Sequence, residues 1–373
     1  MERIQLKNVT TIVNGSTPST VNPENWDGNI AWITPKDLSN FHQRFICHGE
    51  RNITETGYNS CSTTMVPKET VLLTSRAPIG YLAIASNPLC TNQGFKSLIC
   101  DTSRLLPLYL YYWLSTKVEY LNSISGGATF KELSKTTLEN VEIDLPDIEV
   151  QQHIVGTIGS VDNLIENIES RKRCLNSILI TSLKQYSYHV PFKSYEPNLV
   201  KTGIVNFEGE KIYLDTSCVN GTDPTDYSYV VRYDERPSRA NMQPSPRTAW
   251  TARMKASYKV LGITELDDYI LKNTILSTGF VGVQESENLP LPFLYALFIS
   301  ENFRIKKDLS STGATMEAIN NKDFLDLMVP YLTIKESKNY KKHYDPLMLE
   351  LSLLREQEEK LKKEKKLLLS KYF

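Results

Sequence analysis

A short stretch, Ser125-Gly126-Gly127-Ala128-Thr129-Phe130, occurs again in the second half of the chain as Ser311-Thr312-Gly313-Ala314-Thr315-Met316. Two further blocks recur in the same order: Thr10–Ser19 as Thr216–Thr225, and Val71–Ser75 with Ile79-Gly80 as Thr274–Thr278 with Val281-Gly282. A single repeated block is expected by chance, whereas several blocks in one order are not. Their spacing far exceeds the roughly 20–50 residues of solenoid repeats. The sequence therefore predicts the duplication of a whole domain.

The composition is that of a globular protein with more than one domain. The chain has 373 residues, of which 40% are hydrophobic, and this length predicts two or three domains. Its six cysteines lack C-x-x-C pairing and its five histidines lack metal-ligand spacing, so we expect reduced thiols and no metal site. Without a long apolar run or an apolar N-terminal segment, the sequence predicts a cytoplasmic protein that does not contact a membrane.

Two long segments carry apolar residues at alternating spacings of three and four, the pattern of a coiled-coil seam. The predicted seam residues are Ile154, Ile158, Val161, Ile165, Ile168, Leu175 and Leu179 in the first segment and Leu347, Leu351, Leu354, Leu361 and Leu368 in the second. Two seams of similar length most simply pair with each other, in parallel or antiparallel. The antiparallel arrangement fits a two-fold duplication better.

The predicted fold class is α+β, with two tandem domains of short strands, loops and helices, each followed by a long helix. Short apolar runs such as Val71–Ser75 predict strands, and Pro107 and Pro292 each predict the start of an apolar helix. The predicted boundaries are 1–146 for the first domain, 147–188 for its helix, 189–205 for a linker, 206–332 for the second domain and 333–373 for the C-terminal helix.

The sequence lacks the short motifs of common catalytic sites. It contains no glycine-rich dinucleotide or P-loop pattern, no H-E-x-x-H, no G-x-S-x-G, and no Asp/Asn-Pro-Pro-aromatic tetrapeptide of amino-methyltransferases. Its loops instead combine small residues with single cations or amides, as in Thr91–Lys96. Hydroxyls, backbone amides and lysines of such loops bind phosphates, while Arg, Asn and Gln reach base edges. We therefore expect a non-catalytic chain that contacts duplex DNA.

Four blocks strongly resemble the specificity subunit of type I restriction-modification enzymes: Trp32–Ser39, Leu72–Gly80, Thr91–Phe95 and Gly127–Phe130. The resemblance implies two target recognition domains, each reading one half of a split, asymmetric DNA site, with an antiparallel helix pair that sets the spacer. It also implies partners: two modification subunits that bind S-adenosylmethionine and methylate adenine, and a restriction subunit that uses ATP and Mg²⁺. No cofactor is expected in this chain.

The DNA-contacting residues expected from these loops and from a basic stretch in the second half are Lys36, Arg76, Asn92, Gln93, Lys96, Thr129, Lys131, Arg236, Arg239, Arg247, Arg253, Lys255, Thr278 and Thr315. In the second domain no counterpart of Thr91–Phe95 is found. Two alternatives stay open at this point. One is a stand-alone nuclease with an unrecognised site. The other is a scaffold whose helices space two protein-binding domains without DNA.

Overall fold

The structure, a computed structural model, describes residues 2–39, 41, 43–127, 131–186, 189–313 and 317–373. The chain divides into two compact units: unit 1 contains residues 1–166 and 362–373, and unit 2 contains residues 167–361. Each long helix therefore contributes one part to unit 1 and the other part to unit 2.

Unit 1 is built on a five-stranded sheet with the order β2-β9-β6-β7-β4 and a three-stranded sheet with the order β5-β3-β8, while β1 pairs with β10. The strands are β1 (Glu2–Gln5), β2 (Thr10–Asn14), β3 (Trp26–Ile33), β4 (Phe45–Ile46), β5 (Arg51–Ile53), β6 (Val71–Ser75), β7 (Ile79–Ala85), β8 (Cys90–Thr91), β9 (Phe95–Cys100) and β10 (Glu142–Leu145). The helices are α1 (Pro35–Leu38), α2 (Glu55–Asn59), α3 (Pro107–Ser115), α4 (Val118–Ser123), α5 (Lys135–Glu139) and α6 (Ile148–Ser182). Every residue of β6 is buried, which explains its continuous apolar run.

Unit 2 contains two four-stranded sheets, β12-β21-β18-β19 and β16-β13-β20-β17, and the pairs β11-β22 and β14-β15. The strands are β11 (His189–Pro191), β12 (Asn198–Leu199), β13 (Lys211–Leu214), β14 (Val219–Asn220), β15 (Asp223–Pro224), β16 (Val230–Val231), β17 (Ala240–Met242), β18 (Thr248–Ala252), β19 (Val260–Ile263), β20 (Thr274–Ser277), β21 (Phe280–Gln284) and β22 (Met328–Pro330). The helices are α7 (Asp268–Asn273), α8 (Leu291–Ile299), α9 (Glu301–Leu309), α10 (Asn321–Asp326) and α11 (Ile334–Tyr372).

The two units share one structural repeat. In unit 1, β6 pairs antiparallel with β7 and β9; in unit 2, β18 pairs antiparallel with β19 and β21 in the same way. The apolar helices α3 and α8 follow, and a short bridge then joins Gly126 to Glu132 in unit 1 and Thr312 to Ala318 in unit 2. Ser134 caps α5 and Asn320 caps α10, each through a side-chain oxygen. The structural repeat thus extends through these elements of both units.

One block of the sequence repeat aligns two strands that are not structural counterparts. The sequence comparison matches Val71–Ser75 with Thr274–Thr278, but β20 lies between β13 and β17, in a different sheet from β21. The structural counterpart of β6 is β18. Both β6 and β20 are fully buried, so both favour the same apolar and hydroxyl residues, and their short likeness reflects that shared environment. The segment expected to be a linker, 189–205, also contributes the strands β11 and β12.

The long helices α6 and α11 run antiparallel within each unit. In unit 1, Asp162 Oδ1 lies 2.7 Å from Lys365 Nζ, and His153 packs against Tyr372. In unit 2, Lys172 Nζ lies 2.7 Å from Glu358 Oε2, and the hydroxyls of Ser182 and Tyr340 share a hydrogen bond. All predicted seam residues are buried except Leu347 and Leu368, which are partly buried. The predicted fold class, α+β with a long helix after each domain, is confirmed.

Buried ion pairs accompany the apolar seam in both units. In unit 1, Arg44 binds Glu166, and Tyr112 donates a 2.7 Å hydrogen bond to Asp162. In unit 2, Lys172 Nζ lies between Glu358 and Asp223, at 2.7 and 2.6 Å. These contacts tie helix side chains to loops and strands of the same unit, so they link the pairing of the helices to the folded domain.

The carboxylates of these ion pairs make the free energy of unfolding depend on pH. Burial alone would raise the pKa of Asp223, but Lys172 and Arg355 outweigh it and hold this pKa below its ordinary value. Burial would also raise the pKa of Glu166, but the hydrogen bonds from Arg44 outweigh burial and hold this pKa below its ordinary value. Because both pKa values are lower in the folded state, their contribution to stability is present above the unfolded pKa of about 4 and is lost as pH falls through the folded values.

We therefore expect the free energy of unfolding to be insensitive to these groups down to about pH 5 and to fall progressively below about pH 4. Urea unfolding at a series of pH values measures this. The variant Glu166→Gln should show a shallower loss, since one of the titrating groups is removed. An unfolding free energy that stays constant down to pH 3 would contradict the expectation.

Candidate nucleic-acid interface

An open cleft of about 620 Å³ lies on unit 1 where β2, β9 and the segment before α5 meet. The residues that line it are Asn14, Gly15, Gln93, Lys96, Gly126, Gly127, Glu132, Ser134 and Lys135. Asn14 is the last residue of β2 and lies opposite Lys96 of β9 in the sheet. Because the sheet positions these two residues, the cleft has a rigid floor with amide and ammonium groups.

The loops beside the cleft are held by backbone and side-chain hydrogen bonds. The Asn92 side chain accepts a 2.8 Å bond from the Gly94 amide, and Ser75 donates its amide to the Gly94 carbonyl at 2.7 Å. A Cβ on Gly15 would lie 2.2 Å from the Asn92 carbonyl oxygen, so only glycine allows this approach. These contacts leave Gln93 exposed at the tip of the turn, where its side chain accepts a hydrogen bond from Thr17.

The charges in this region are concentrated around Glu132. Its carboxylate lies 3.9 Å from an Arg76 guanidinium nitrogen and 3.6 Å from Lys96 Nζ. The Lys96 side chain is only 6% exposed, and burial lowers its pKa, an effect that Glu132 partly offsets. Arg76 is 39% exposed and remains accessible to a ligand. The expected contact residues Arg76, Gln93 and Lys96 thus lie near one another.

The other expected residues of unit 1 lie elsewhere or have other contacts. Lys36 is exposed and forms a 2.7 Å ion pair with Glu50. Lys131 is exposed, with its ammonium 3.4 Å from the Asn122 carbonyl oxygen. Asn92 holds the turn described above. Thr129 lies outside the described residues.

In unit 2, Arg239 and Thr278 are brought together. The Thr278 amide donates a 2.8 Å hydrogen bond to the Arg239 carbonyl, and the Arg239 side chain is exposed. Arg236 lies nearby in the chain and covers the Tyr233 ring at 4.1 Å. Arg253 donates to the carbonyls of Phe280 and Ile319, and burial lowers its pKa. Among Arg236, Arg239 and Arg253, the side chain of Arg239 is therefore the most accessible to a ligand.

The remaining expected residues of unit 2 have acidic partners. Lys255 forms a 2.7 Å ion pair with Glu317, and both side chains are about half exposed. Arg247 is 17% exposed and binds Glu285 and Asp345, with Glu265 3.5 Å away. Its surroundings favour a structural role for Arg247 over contact with DNA, because its charge is already satisfied within unit 2. Thr315 lies outside the described residues.

Sequence and structure comparisons find proteins that this chain resembles. Residues 1–177 match the model of the type I restriction modification DNA specificity domain. This part of the chain is therefore similar to a type I specificity domain. Among curated relatives, the type I restriction enzyme MjaIX specificity subunit of Methanocaldococcus jannaschii is 48% identical over 195 residues, covering 52% of this chain and 45% of that protein. The putative MjaX specificity subunit of the same organism is 32% identical over 33% of this chain and 31% of that protein.

The fold extends the likeness beyond the matched domain. A crystal structure of a type I restriction-modification S subunit from M. genitalium covers 100% of this chain and 96% of its own, with a TM-score of 0.58 and 16% identity. At this identity the likeness concerns the fold alone. The aligned segments cover less than half the length of the curated relatives.

The cleft contains residues that the sequence patterns do not single out. Asn14, Glu132, Ser134 and Lys135 line the cleft, although none of them is among the expected contact residues. Glu132 and Lys135 lie two and five residues after Phe130, the end of one repeated block, and Asn14 lies within the repeated block Thr10–Ser19. Proximity to the repeated blocks is the signal in the sequence that could have found them.

Within the described ranges, no group of three or more His, Cys, Asp or Glu residues could hold a metal ion. None of the helices in the described part of the chain is long and apolar enough to cross a membrane.

Proposed function

We propose that this chain is the DNA-recognition subunit of a type I restriction-modification complex and that it catalyses no reaction itself. The observation that carries the proposal is the structural repeat shared by the two units. The bridges Gly126–Glu132 and Thr312–Ala318 occupy equivalent places in this repeat, and each lies close in sequence to cationic side chains. Arg76 and Arg239 give each unit an accessible guanidinium, the group best suited to guanine edges and phosphates. Each unit would read one half of a bipartite, asymmetric site.

The partners follow from this role. Two modification subunits would supply S-adenosylmethionine and adenine methylation, and a restriction subunit would supply ATP-driven movement and Mg²⁺-dependent cleavage. The formal net charge of this chain is −1, so much of the positive charge needed along the DNA backbone would come from these partners.

Co-expression with a modification subunit from the same genome, followed by methylome sequencing, tests the function. We expect a methylated two-part motif that is absent without this chain. The purified chain alone should neither methylate nor cleave DNA. Metal-dependent cleavage by the chain alone would support a nuclease, and partner binding that is insensitive to DNA and salt would support a scaffold; either result would overturn the proposal.

Exchange of the first domain tests whether the two halves act independently. Replacing residues 1–146 by the first domain of another family member should change one half of the methylated motif and leave the other half unchanged. Methylome sequencing of the hybrid measures both halves at once. A change in both halves would show that the domains do not read separately.

A paired insertion tests whether α6 and α11 set the spacer. Four residues inserted after Glu169 and four after Leu361 add about 6 Å, slightly more than one turn, to each helix. Both insertions fall between the ion pairs Asp162–Lys365 and Lys172–Glu358, so both pairs can form as before. We expect unchanged half-sites and a spacer longer by about one or two base pairs at ~3.4 Å each.

The single insertion in α6 is the control for that experiment. It shifts one helix by about a turn against the other, so the two ion pairs cannot both form, and the variant should be less stable than the paired insertion. An active paired variant with an unaltered spacer would show that the helices do not set it.

A further inference from the structure

Glu132 is an acidic residue in a cleft that otherwise presents amides, a hydroxyl and two lysines. A carboxylate repels the phosphates of DNA, so its presence in a DNA-facing cleft requires a reason. One candidate reason is structural: Glu132 partly compensates the buried ammonium of Lys96. That reason does not account for its position between two cations, since Arg76 is exposed enough to be solvated without it.

The backbone of Glu132 is held more firmly than compensation of the Lys96 charge alone would require. Its amide donates to the Gly126 carbonyl at 2.9 Å and its carbonyl accepts from the Gly126 amide at 3.2 Å. The amide of the buried neighbour Leu133 donates to the Ser75 carbonyl at 2.9 Å. The carboxylate itself is 45% exposed, and its distances to Arg76 and Lys96 exceed hydrogen-bond length. It is therefore a well-positioned acceptor that is open to a further donor.

Resting on the proposed function, we propose that Glu132 reads a base by accepting a hydrogen bond from the exocyclic amino group of cytosine in the half-site bound by unit 1. An ionised carboxylate only accepts hydrogen bonds. In the major groove cytosine offers the N4 donor, whereas adenine offers a donor beside an acceptor and suits an amide better. The positive charges of Arg76 and Lys96 beside Glu132 offset its repulsion of the backbone phosphates.

Unit 2 provides an internal comparison. Ala318 occupies the place of Glu132, with the same bridge to Thr312 and with the Ile319 amide bound to the Arg253 carbonyl at 3.0 Å. Alanine offers no side-chain acceptor. The acceptor is therefore specific to the first half of the chain, and its effect should appear in one half-site only.

The experiment uses the full chain in complex with its modification subunit, with Glu132→Gln and Glu132→Ala as variants and methylome sequencing as the readout. Glu132→Ala should relax one cytosine position of one half-site, with discrimination reduced roughly 5- to 150-fold. Glu132→Gln should shift the same position towards adenine, because an amide pairs with both N6 and N7. The other half-site should stay unchanged in both variants.

Glu142→Gln is the matched control. Glu142 is 46% exposed, close to the 45% of Glu132, and pairs with Arg3 at 2.8 Å on β10, outside the cleft. This control should leave the motif as it is. If Glu132 only compensates Lys96, its variants will weaken methylation of all sites alike while the motif stays unchanged, and that result overturns the inference. A wild-type complex that methylates no motif would instead refute the proposed function.

Discussion

Replacing Lys172 by methionine should lower the free energy of unfolding by about 3–5 kcal/mol, because it leaves the buried carboxylate of Glu358 and the partly buried carboxylate of Asp223 without their shared cation. The Lys172 ammonium lies 2.7 Å from Glu358 and 2.6 Å from Asp223, and the side chains of Lys172 and Glu358 are almost fully buried. Methionine retains most of the apolar volume, so the loss reports the charge. Urea unfolding followed by circular dichroism measures it.

Two further variants make the interpretation specific. Lys172→Met combined with Glu358→Gln should recover much of the lost stability, since one uncompensated charge is removed with its partner. Arg171→Met breaks the neighbouring pair with Glu350, in which both side chains are substantially exposed, and should change stability by less than about 1 kcal/mol. An equal loss in the Arg171 and Lys172 variants would contradict a special role for the buried pair.

Replacing Arg247 by alanine should also destabilise the chain, again by about 3–5 kcal/mol, and should leave the recognised DNA sequence unchanged. The guanidinium of Arg247 binds Glu285 of the strand–helix connection and Asp345 of α11. Burial would raise the pKa of Glu285, but Lys341, the Leu291 amide and Arg247 outweigh burial and hold it low. Without Arg247, the carboxylates of Glu285 and Asp345 lose a common partner.

Arg239→Ala is the complementary variant. Arg239 is exposed, so its loss should change stability by no more than about 0.5 kcal/mol. In the complex it should alter or weaken recognition of the second half-site. Methylome sequencing together with urea unfolding separates the two arginines. A changed motif in Arg247→Ala with normal stability would show that Arg247, and not Arg239, reads the DNA.

Features that depend on local sequence could be predicted. Pro107 and Pro292 mark helices that begin at Pro107 and Leu291, and the seam spacing predicts long helices that begin at Ile148 and Ile334. These signals are local because a proline restricts its own turn and a seam repeats along one helix. The partner of a strand is not local. That is why the block at Thr274–Thr278 was matched to β6, whereas the counterpart is β18.

The candidate site was predictable to a smaller extent for a related reason. Arg76, Gln93 and Lys96 are residue types that bind DNA, and the loops that carry them are visible in the sequence. Arg247 is of the same type, but three acidic residues distant in sequence surround it, and only the fold shows them. Glu132 was missed because an acidic residue is not expected at a DNA surface until its cationic neighbours are known.

The ion pair between Lys172 of α6 and Glu358 of α11 bears on how the two halves of the chain have diverged. The helices α6 and α11 begin at Ile148 and Ile334, and Lys172 and Glu358 lie the same number of residues after these starts. The two paired residues therefore occupy the same position in the two repeats. If two identical helices paired with two-fold symmetry, this position would meet its own copy, and two buried lysines or two buried glutamates would repel each other. Opposite charges meet there only because the two copies have diverged. A duplicate of either half in place of the other would therefore set like charges together at this buried position, so the charge pair makes the two halves non-interchangeable.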